Sequence, residues 1–168
     1  MRGRHIFVFC TLGILCALTA LRADQSTQKA DFILVEKSKR TLTLYANGKV
    51  LKIYQVALGP NPVGPKQVEG DGKTPEGHYN IDSVNRASSY HLSLHISYPN
   101  ADDVEKARVL SKPPGGDIII HGLPNGYGWI GAAHRLHNWT AGCIAVTNDE
   151  IEEIVKRVPI GTPIEIKP

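Results

Sequence analysis

The chain has 168 residues, of which 42% are hydrophobic, with 19 lysines and arginines against 16 aspartates and glutamates. Three of the arginines lie within the first 22 residues, which hold no acidic residue, so the rest of the chain carries equal positive and negative charge. This balance argues against nucleic-acid binding and against anionic-membrane attachment through bulk charge, and the length suits one domain with its own core.

The first 23 residues have the pattern of a secretory signal peptide. Arg2 and Arg4 precede an almost unbroken apolar run of 16 residues that ends at Leu21, and a plausible cleavage site follows at Ala23. The run is shorter than the about 20 residues of a typical membrane helix. We therefore expect an exported protein of the periplasm or cell envelope, with an uncleaved N-terminal anchor as the alternative and as the single point of membrane contact.

Residues 24–31 are predicted to be a flexible lead-in, and residues 32–168 a single mainly β domain with one or two short helices. The chain opens with two alternating segments joined to a third by Asn47-Gly48, the strongest short signal for a β-hairpin. The predicted strands cover residues 32–36, 41–46, 49–58, 78–84, 91–97, the run before His121, the run after Cys143, and 162–167.

Two helices and one long loop complete the predicted domain. Asn100 is expected to cap a short helix that ends near Arg108, and Thr147 with Glu150 has the form of a capping box. Apolar residues follow Glu150 at helical spacing up to Val158. The segment from Gly59 to Gly77 holds five glycines and four prolines, and it is either a functional loop or a connector.

The chemistry of the chain centres on Cys143, the one cysteine outside the first 16 residues. A lone cysteine is either a small buried hydrophobe or, in an exported protein, a thiol retained for a reason. Gly142 allows a sharp turn before Cys143, and the adjacent N–H groups could bind a developing oxyanion. A thiol also needs a base to remove its proton. A thiol with a nearby base and free N–H groups suits acyl transfer through a covalent intermediate.

Three histidines are candidates for that base. His121 ends a run of three isoleucines and precedes Gly122, so it is expected at a rigid strand end. His134 and His137 lie in a glycine-rich insert that is predicted to be a loop. We favour His121 as the base, with one of the other two in reserve.

Three blocks of the chain, taken in order, resemble the conserved blocks of the L,D-transpeptidase catalytic domain (YkuD) family. They are Gly70-Asp-Gly-Lys-Thr-Pro-Glu-Gly77, Ile120-His-Gly122 and Thr140-Ala-Gly-Cys143. The resemblance implies a β-sandwich of mixed sheets, an exported enzyme of the cell wall, and no metal or organic cofactor. It also implies peptidoglycan stem peptides as substrates, and we expect the protein to be a monomer.

The resemblance also implies residue roles. Cys143 matches the nucleophile, His121 the general base, and the Gly122 carbonyl the group that orients the imidazole. Gly142 and Cys143 match the oxyanion hole, and Thr140 takes the place of a small hydroxyl residue in the signature.

Two positions depart from the family signature, because Ala141 replaces a histidine and Ala145 replaces a common arginine. Residues of the insert are expected to compensate as substrate contacts: His134, Arg135, His137 and Trp139, together with Thr140. The variant motif resembles the YafK-type subgroup, some members of which are murein hydrolases that cleave L,D cross-links or detach a wall-attached lipoprotein. Hydrolysis is therefore the alternative to transpeptidation, with such a lipoprotein as a further partner.

Two other functions are consistent with parts of the sequence. His121, His134 and His137 could be three ligands of a zinc hydrolase, although Cys143 would then have no role. Alternatively, Tyr127, Trp129 and Trp139 could stack on sugars in a non-catalytic wall-binding module.

Overall fold

The structure is a computed structural model that describes residues 28–168, so the predicted signal peptide lies outside the described residues. Within the described range, backbone hydrogen bonds attach the chain to the rest of the domain from Ala30 onward. The Ala30 N–H donates to Arg157 O at 2.8 Å, and the Asp31 N–H donates to Tyr45 O at 2.9 Å. Among residues 28–168, no helix is long and apolar enough to cross a membrane.

Within residues 28–168, eight strands and two helices make up the fold, which confirms the prediction of a mainly β domain. The strands are β1 (Phe32–Glu36), β2 (Thr41–Ala46), β3 (Lys49–Gln55), β4 (Gly77–Asn85), β5 (Ser93–Ile96), β6 (Ile119–His121), β7 (Ile144–Ala145) and β8 (Pro163–Lys167). The helices are α1 (Ala101–Val109) and α2 (Asn148–Arg157), and 3₁₀ turns cover Gly128–Leu136.

All strands belong to one mixed sheet in the order β3-β2-β1-β8-β4-β5-β6-β7. The β1–β8 and β6–β7 pairs are parallel and the others antiparallel. The sheet curls until its two ends meet, where Ala57 and Ala145 exchange backbone hydrogen bonds of 3.0 and 2.9 Å. This joint holds the short strand β7 between β6 on one side and the chain after β3 on the other.

The core lies inside the curl and collects the inward face of each strand. In β2, Leu42 and Leu44 are fully buried, as their alternation with polar residues predicted. Helix α2 covers the core with Ile151 and Ile154, and both of its predicted capping-box bonds are present between Thr147 and Glu150. Burial of these apolar side chains supplies the main stabilising free energy of the domain.

Local backbone conformation explains where the elements begin and end. Asn47 and Gly48 both have positive φ (52° and 72°), as the predicted hairpin turn requires. Strand β5 starts later than predicted because His91 has a φ of 68°, a left-handed conformation that an extended strand cannot contain. The insert after His121, predicted to be a loop, instead forms 3₁₀ turns interrupted at Gly131, whose φ is 51°.

Candidate active site

The candidate nucleophile and the candidate base lie on adjacent parallel segments. In the pairing of β6 with β7, His121 is opposite Ala145, so Cys143, two residues earlier, lies beside Ile119. Because alternate residues of a strand point to the same face, the side chains of Ile119, His121 and Cys143 share one face of the sheet. This pairing places the imidazole and the thiol on adjacent strands, offset by two residues.

The Cys143 thiol is held by the backbone of the segment that leads into β6. Its Sγ donates to the carbonyl oxygen of Asp117 at 3.5 Å. Burial raises the pKa of the thiol above its usual range, and this effect outweighs the lowering by the Ile119 backbone N–H and by the charge of Lys66. The resting sulfur is therefore a protonated thiol.

His121 is buried, with only 2% of its surface exposed. Its Nδ1 is 2.6 Å from the carbonyl oxygen of Gly122, and since a carbonyl only accepts hydrogen bonds, Nδ1 carries the proton. Nε2 then bears the lone pair that can take up a proton. Burial lowers the pKa of His121 more than the Gly122 bond raises it, so the ring rests neutral.

Two aromatic side chains pack against the His121 ring. The ring centroid of Tyr90 is 4.5 Å from that of His121, and the Trp139 ring lies edge-on at 5.7 Å. Tyr90 was not identified from the sequence, because it lies in a connection before β5 and carries no motif. The contact restricts the tilt of the imidazole that the Gly122 bond already orients.

Thr140 and Gly142 shape the turn that presents the thiol. The Thr140 hydroxyl donates to Cys143 O at 2.7 Å and accepts the Gly142 N–H at 3.2 Å. Gly142 has a φ of 126°, and a Cβ there would overlap the carbonyl oxygen of Lys73. The Cys143 N–H has no partner among residues 28–168, which leaves it available to an oxyanion.

The glycine- and proline-rich loop packs against this turn from behind. Asp71 organises the loop, because its carboxylate accepts the N–H groups of Gln67, Val68 and Lys73 at 2.8, 3.1 and 3.0 Å. Lys66 Nζ adds a fourth bond to Asp71 at 3.1 Å and is almost fully buried. The segment is therefore a rigid wall that supports Gly142, rather than a simple connector.

Asn148, at the start of α2, clamps the chain that follows His121. Its Oδ1 accepts the Leu123 N–H at 2.8 Å. A Cβ on Gly122 would lie 2.7 Å from Oδ1, and a Cβ on Gly128 would lie 2.7 Å from Nδ2. A Cβ on Gly122 would also lie 3.1 Å from Tyr90 O, so this position favours glycine, and the carbonyl that orients His121 is itself held in place. Sequence reasoning missed this residue, which looked like an ordinary first residue of a helix.

The candidate substrate contacts of the insert differ from one another in burial and in bonding partners. His134 is buried, its Nδ1 accepts the Trp139 indole N–H at 3.5 Å, and its Nε2 has no partner among the described residues. Burial lowers the pKa of His134 to about 4. Arg135 forms an ion pair with Glu150 of α2, and its backbone carbonyl accepts from Arg40.

His137 is exposed, and Trp139 is about one-third exposed. Trp139 and His134 also line an apolar cavity of about 250 Å³. No three His, Cys, Asp or Glu side chains within residues 28–168 form a group that could hold a metal ion, so the arrangement gives no support to a zinc site.

The chain is similar to known proteins over most of its length. A model of the L,D-transpeptidase catalytic domain (YkuD) matches residues 30–166. The chain belongs to this family. YafK of Escherichia coli (strain K12) is 29% identical over 135 residues, which cover 76% of this chain and 46% of YafK. YqjB of Bacillus subtilis (strain 168) is 26% identical over 136 residues, which cover 80% and 70% of the two chains.

Both relatives bear the name L,D-transpeptidase as a provisional assignment. Among solved structures, the helical cell shape determining protein Pgp2 from Campylobacter jejuni superposes with a TM-score of 0.59 and 27% identity. The match covers 83% of this chain and 48% of Pgp2. This L,D-transpeptidase domain thus spans about half the length of YafK and of Pgp2.

Proposed function

We propose that the protein is an exported cysteine acyltransferase that acts on peptidoglycan stem peptides through a Cys143 acyl-enzyme. One observation carries the proposal: His121 shares the face of Cys143, and its Nδ1–H is fixed on Gly122 O at 2.6 Å, so that Nε2 can act as the base. Membership of the L,D-transpeptidase family supports the same chemistry.

The resting thiol and imidazole are both neutral, which defines the first step. As the sulfur attacks the scissile carbonyl, the S–H bond breaks, its hydrogen bond to Asp117 O is lost, and the proton passes from Sγ to His121 Nε2. The Cys143 N–H donates to the oxyanion, with the Gly142 N–H as a second donor once it is released from Thr140. The His121 imidazolium then protonates the departing amine, and the acyl group remains on Cys143.

An amine or a water molecule completes the cycle by attacking the thioester, with His121 accepting its proton. Attack by a second stem peptide gives transpeptidation, and attack by water gives hydrolysis. Of the predicted substrate contacts, we propose that Trp139, His134 and His137 bind the stem peptide from the insert. The buried Thr140 and the ion-paired Arg135 would act on it indirectly, by holding the turn and the insert.

The decisive experiment is mass spectrometry of purified muropeptides after incubation with the wild type and with Cys143→Ala. We expect the wild type to form a thioester adduct and to yield either a new L,D cross-link or a shortened stem, whereas the variant should yield neither. A new cross-link identifies a transferase, and a tripeptide or a freed lipoprotein fragment identifies a hydrolase. Equal product from both proteins would refute the assigned nucleophile.

A further inference from the structure

His121 lines neither of two cavities whose walls include the aromatic rings that pack on it. Tyr90 lines a groove of about 400 Å³ together with Ile119, two residues before His121 on β6. Trp139 lines the apolar cavity of about 250 Å³ together with Leu123, two residues after His121. The two aromatic ring centroids are 4.5 and 5.7 Å from that of the imidazole. Both rings therefore separate the base from open space that residues two positions away along the chain reach.

The exposures of these side chains agree with a covering role. His121 is 2% exposed, whereas Tyr90 and Trp139 are each 36% exposed, so the outer parts of both rings face solvent that the imidazole does not contact. Cys143 is only half-buried. A substrate can therefore reach the sulfur while the base stays covered.

Asn125 fixes the connection that carries Tyr90. Its Nδ2 donates to Ser88 O at 3.2 Å, and its Oδ1 accepts the His91 N–H at 2.9 Å, so one amide side chain holds the chain on both sides of Tyr90. The Ser88 hydroxyl also accepts the Tyr90 N–H at 3.1 Å. Because Asn125 follows His121 by four residues, the stretch of chain that begins with the base also holds its cover.

The groups around the imidazole leave burial as the main influence on its protonation. Cys143 on the adjacent segment is a protonated thiol, and His134 of the insert is neutral at pH 7 because burial lowers its pKa to about 4. Tyr90 supplies a phenol, and Ser93, opposite on β5, has no ionisable group. Burial is the largest cause of the lowered His121 pKa, and the backbone hydrogen bond to the ring acts in the opposite direction. Removing a side chain that excludes water should therefore raise that pKa.

We propose that Tyr90 is a positioning residue of the reaction, whose ring excludes water from His121 and holds the imidazole with Nε2 free for the thiol proton. The inference rests on the proposed function and adds to it the residue that keeps the base neutral at rest. Asn125 acts one step further away, by holding the connection that carries the ring. The aromatic ring has this role, and the phenolic hydroxyl does not.

The test measures the titration of His121 directly, by NMR of histidine-labelled intact protein. The wild type is compared with Tyr90→Ala, Tyr90→Phe and Asn125→Ala, and the spectrum of His121→Gln identifies the His121 signal. Tyr45→Ala is the matched control, because Tyr45 is a half-buried tyrosine of β2 whose ring packs on Phe32. For each protein except His121→Gln, kcat/KM on a stem peptide is measured in parallel.

We expect the wild-type His121 to titrate below the ordinary value of about 6.5, and His121 in Tyr90→Ala to titrate closer to that value. Loss of the ring should also lower kcat/KM at pH 7 by about tenfold, because the imidazole is less well oriented. Tyr90→Phe and Tyr45→Ala should keep the wild-type titration and kcat/KM, and Asn125→Ala should lie between the wild type and Tyr90→Ala.

An unchanged His121 titration in Tyr90→Ala would overturn the inference. A Tyr90→Phe protein that behaves like Tyr90→Ala would overturn it as well, since the hydroxyl would then be the important group. If the alanine variant does not fold, Tyr90→Leu takes its place with the same expected direction. Absence of a Cys143 thioester adduct in the wild type, with the expected titrations, would overturn the proposed function and leave the exclusion of water from His121 intact.

Discussion

Asn148 Oδ1 accepts the backbone N–H of Leu123 at 2.8 Å and thereby ties the first residue of α2 to the segment after His121. The same side chain lies against Gly122, whose carbonyl orients the imidazole. A residue that contacts neither the thiol nor the imidazole therefore determines where the imidazole points.

The Asn148 contact predicts that Asn148→Ala lowers both stability and activity. The Leu123 N–H is left without its acceptor, at a cost of about 1–3 kcal/mol in the free energy of unfolding. Denaturant unfolding and kcat/KM on a stem peptide would measure the two effects. Asn148→Asp keeps an acceptor oxygen and should recover part of both, and Asn80→Ala, at an exposed position of β4, should change neither. An Asn148→Ala protein with wild-type values would contradict the clamp.

Gly142 should tolerate no side chain. In Gly142→Ala the new Cβ would overlap Lys73 O at a φ of 126°, so we expect a loss of several kcal/mol of stability and of the thioester adduct. Gly70→Ala is the matched control, because Gly70 also has a positive φ (77°) but has open space around it. It should lose only about 1 kcal/mol. Similar unfolding midpoints for the two variants would show that the loop does not press on Gly142.

The state of the thiol predicts its alkylation behaviour. Because burial raises the pKa of Cys143, iodoacetamide should react slowly at pH 7 and faster as the pH rises through and beyond the usual thiol range. His121→Gln should show nearly the same pH dependence, since the resting pair is not an ion pair. A fast reaction that reaches its plateau below pH 7 in the wild type, and is lost in His121→Gln, would instead indicate a thiolate–imidazolium pair.

We expect kcat/KM to fall on the acidic side only below the ordinary histidine pKa of about 6.5. Burial lowers the pKa of His121, and the base must be neutral, so activity persists below pH 6.5 and falls only as the pH passes through the depressed value. The pH dependence of kcat/KM for the free enzyme would measure this limb. A limb centred above pH 7 would contradict the neutral, buried imidazole.

Stability should decrease on acidification over a defined range. His134 has a folded-state pKa of about 4, whereas an unfolded histidine titrates near about 6.5, so the unfolded chain binds more protons between these values. The free energy of unfolding should therefore fall as the pH drops from about 6.5 towards 4. His134→Gln removes this contribution and should unfold with a shallower pH slope, measured by urea denaturation at several pH values. An unchanged slope would rule out His134 as the source.

Much of the fold was predictable because its signals are local. The Asn47-Gly48 turn, the alternation in β2 and the capping box at Thr147 each depend on residues within a few positions of one another. The apolar runs before His121 and after Cys143 likewise became the adjacent strands β6 and β7.

The parts that could not be predicted join residues far apart in the chain. Tyr90 against His121, Asn148 against Leu123 and Lys73 against Gly142 bring together segments with no shared motif. Arg135 and Arg40 anchor the 3₁₀ turns of the insert to α2 and to the chain before β2, contacts that its own composition does not reveal. The register of β4, β5 and β6 is also a property of tertiary pairing.

The joint between Ala57 and Ala145 has a consequence for the way the protein matures. The joint forms only when the first third of the chain meets the last third, so an unfolded chain leaves the cysteine open to any oxidants around it. When the two ends of the curled sheet meet, the sulfur becomes less accessible to oxidants. Docking of these two distant segments therefore protects the thiol as the domain folds.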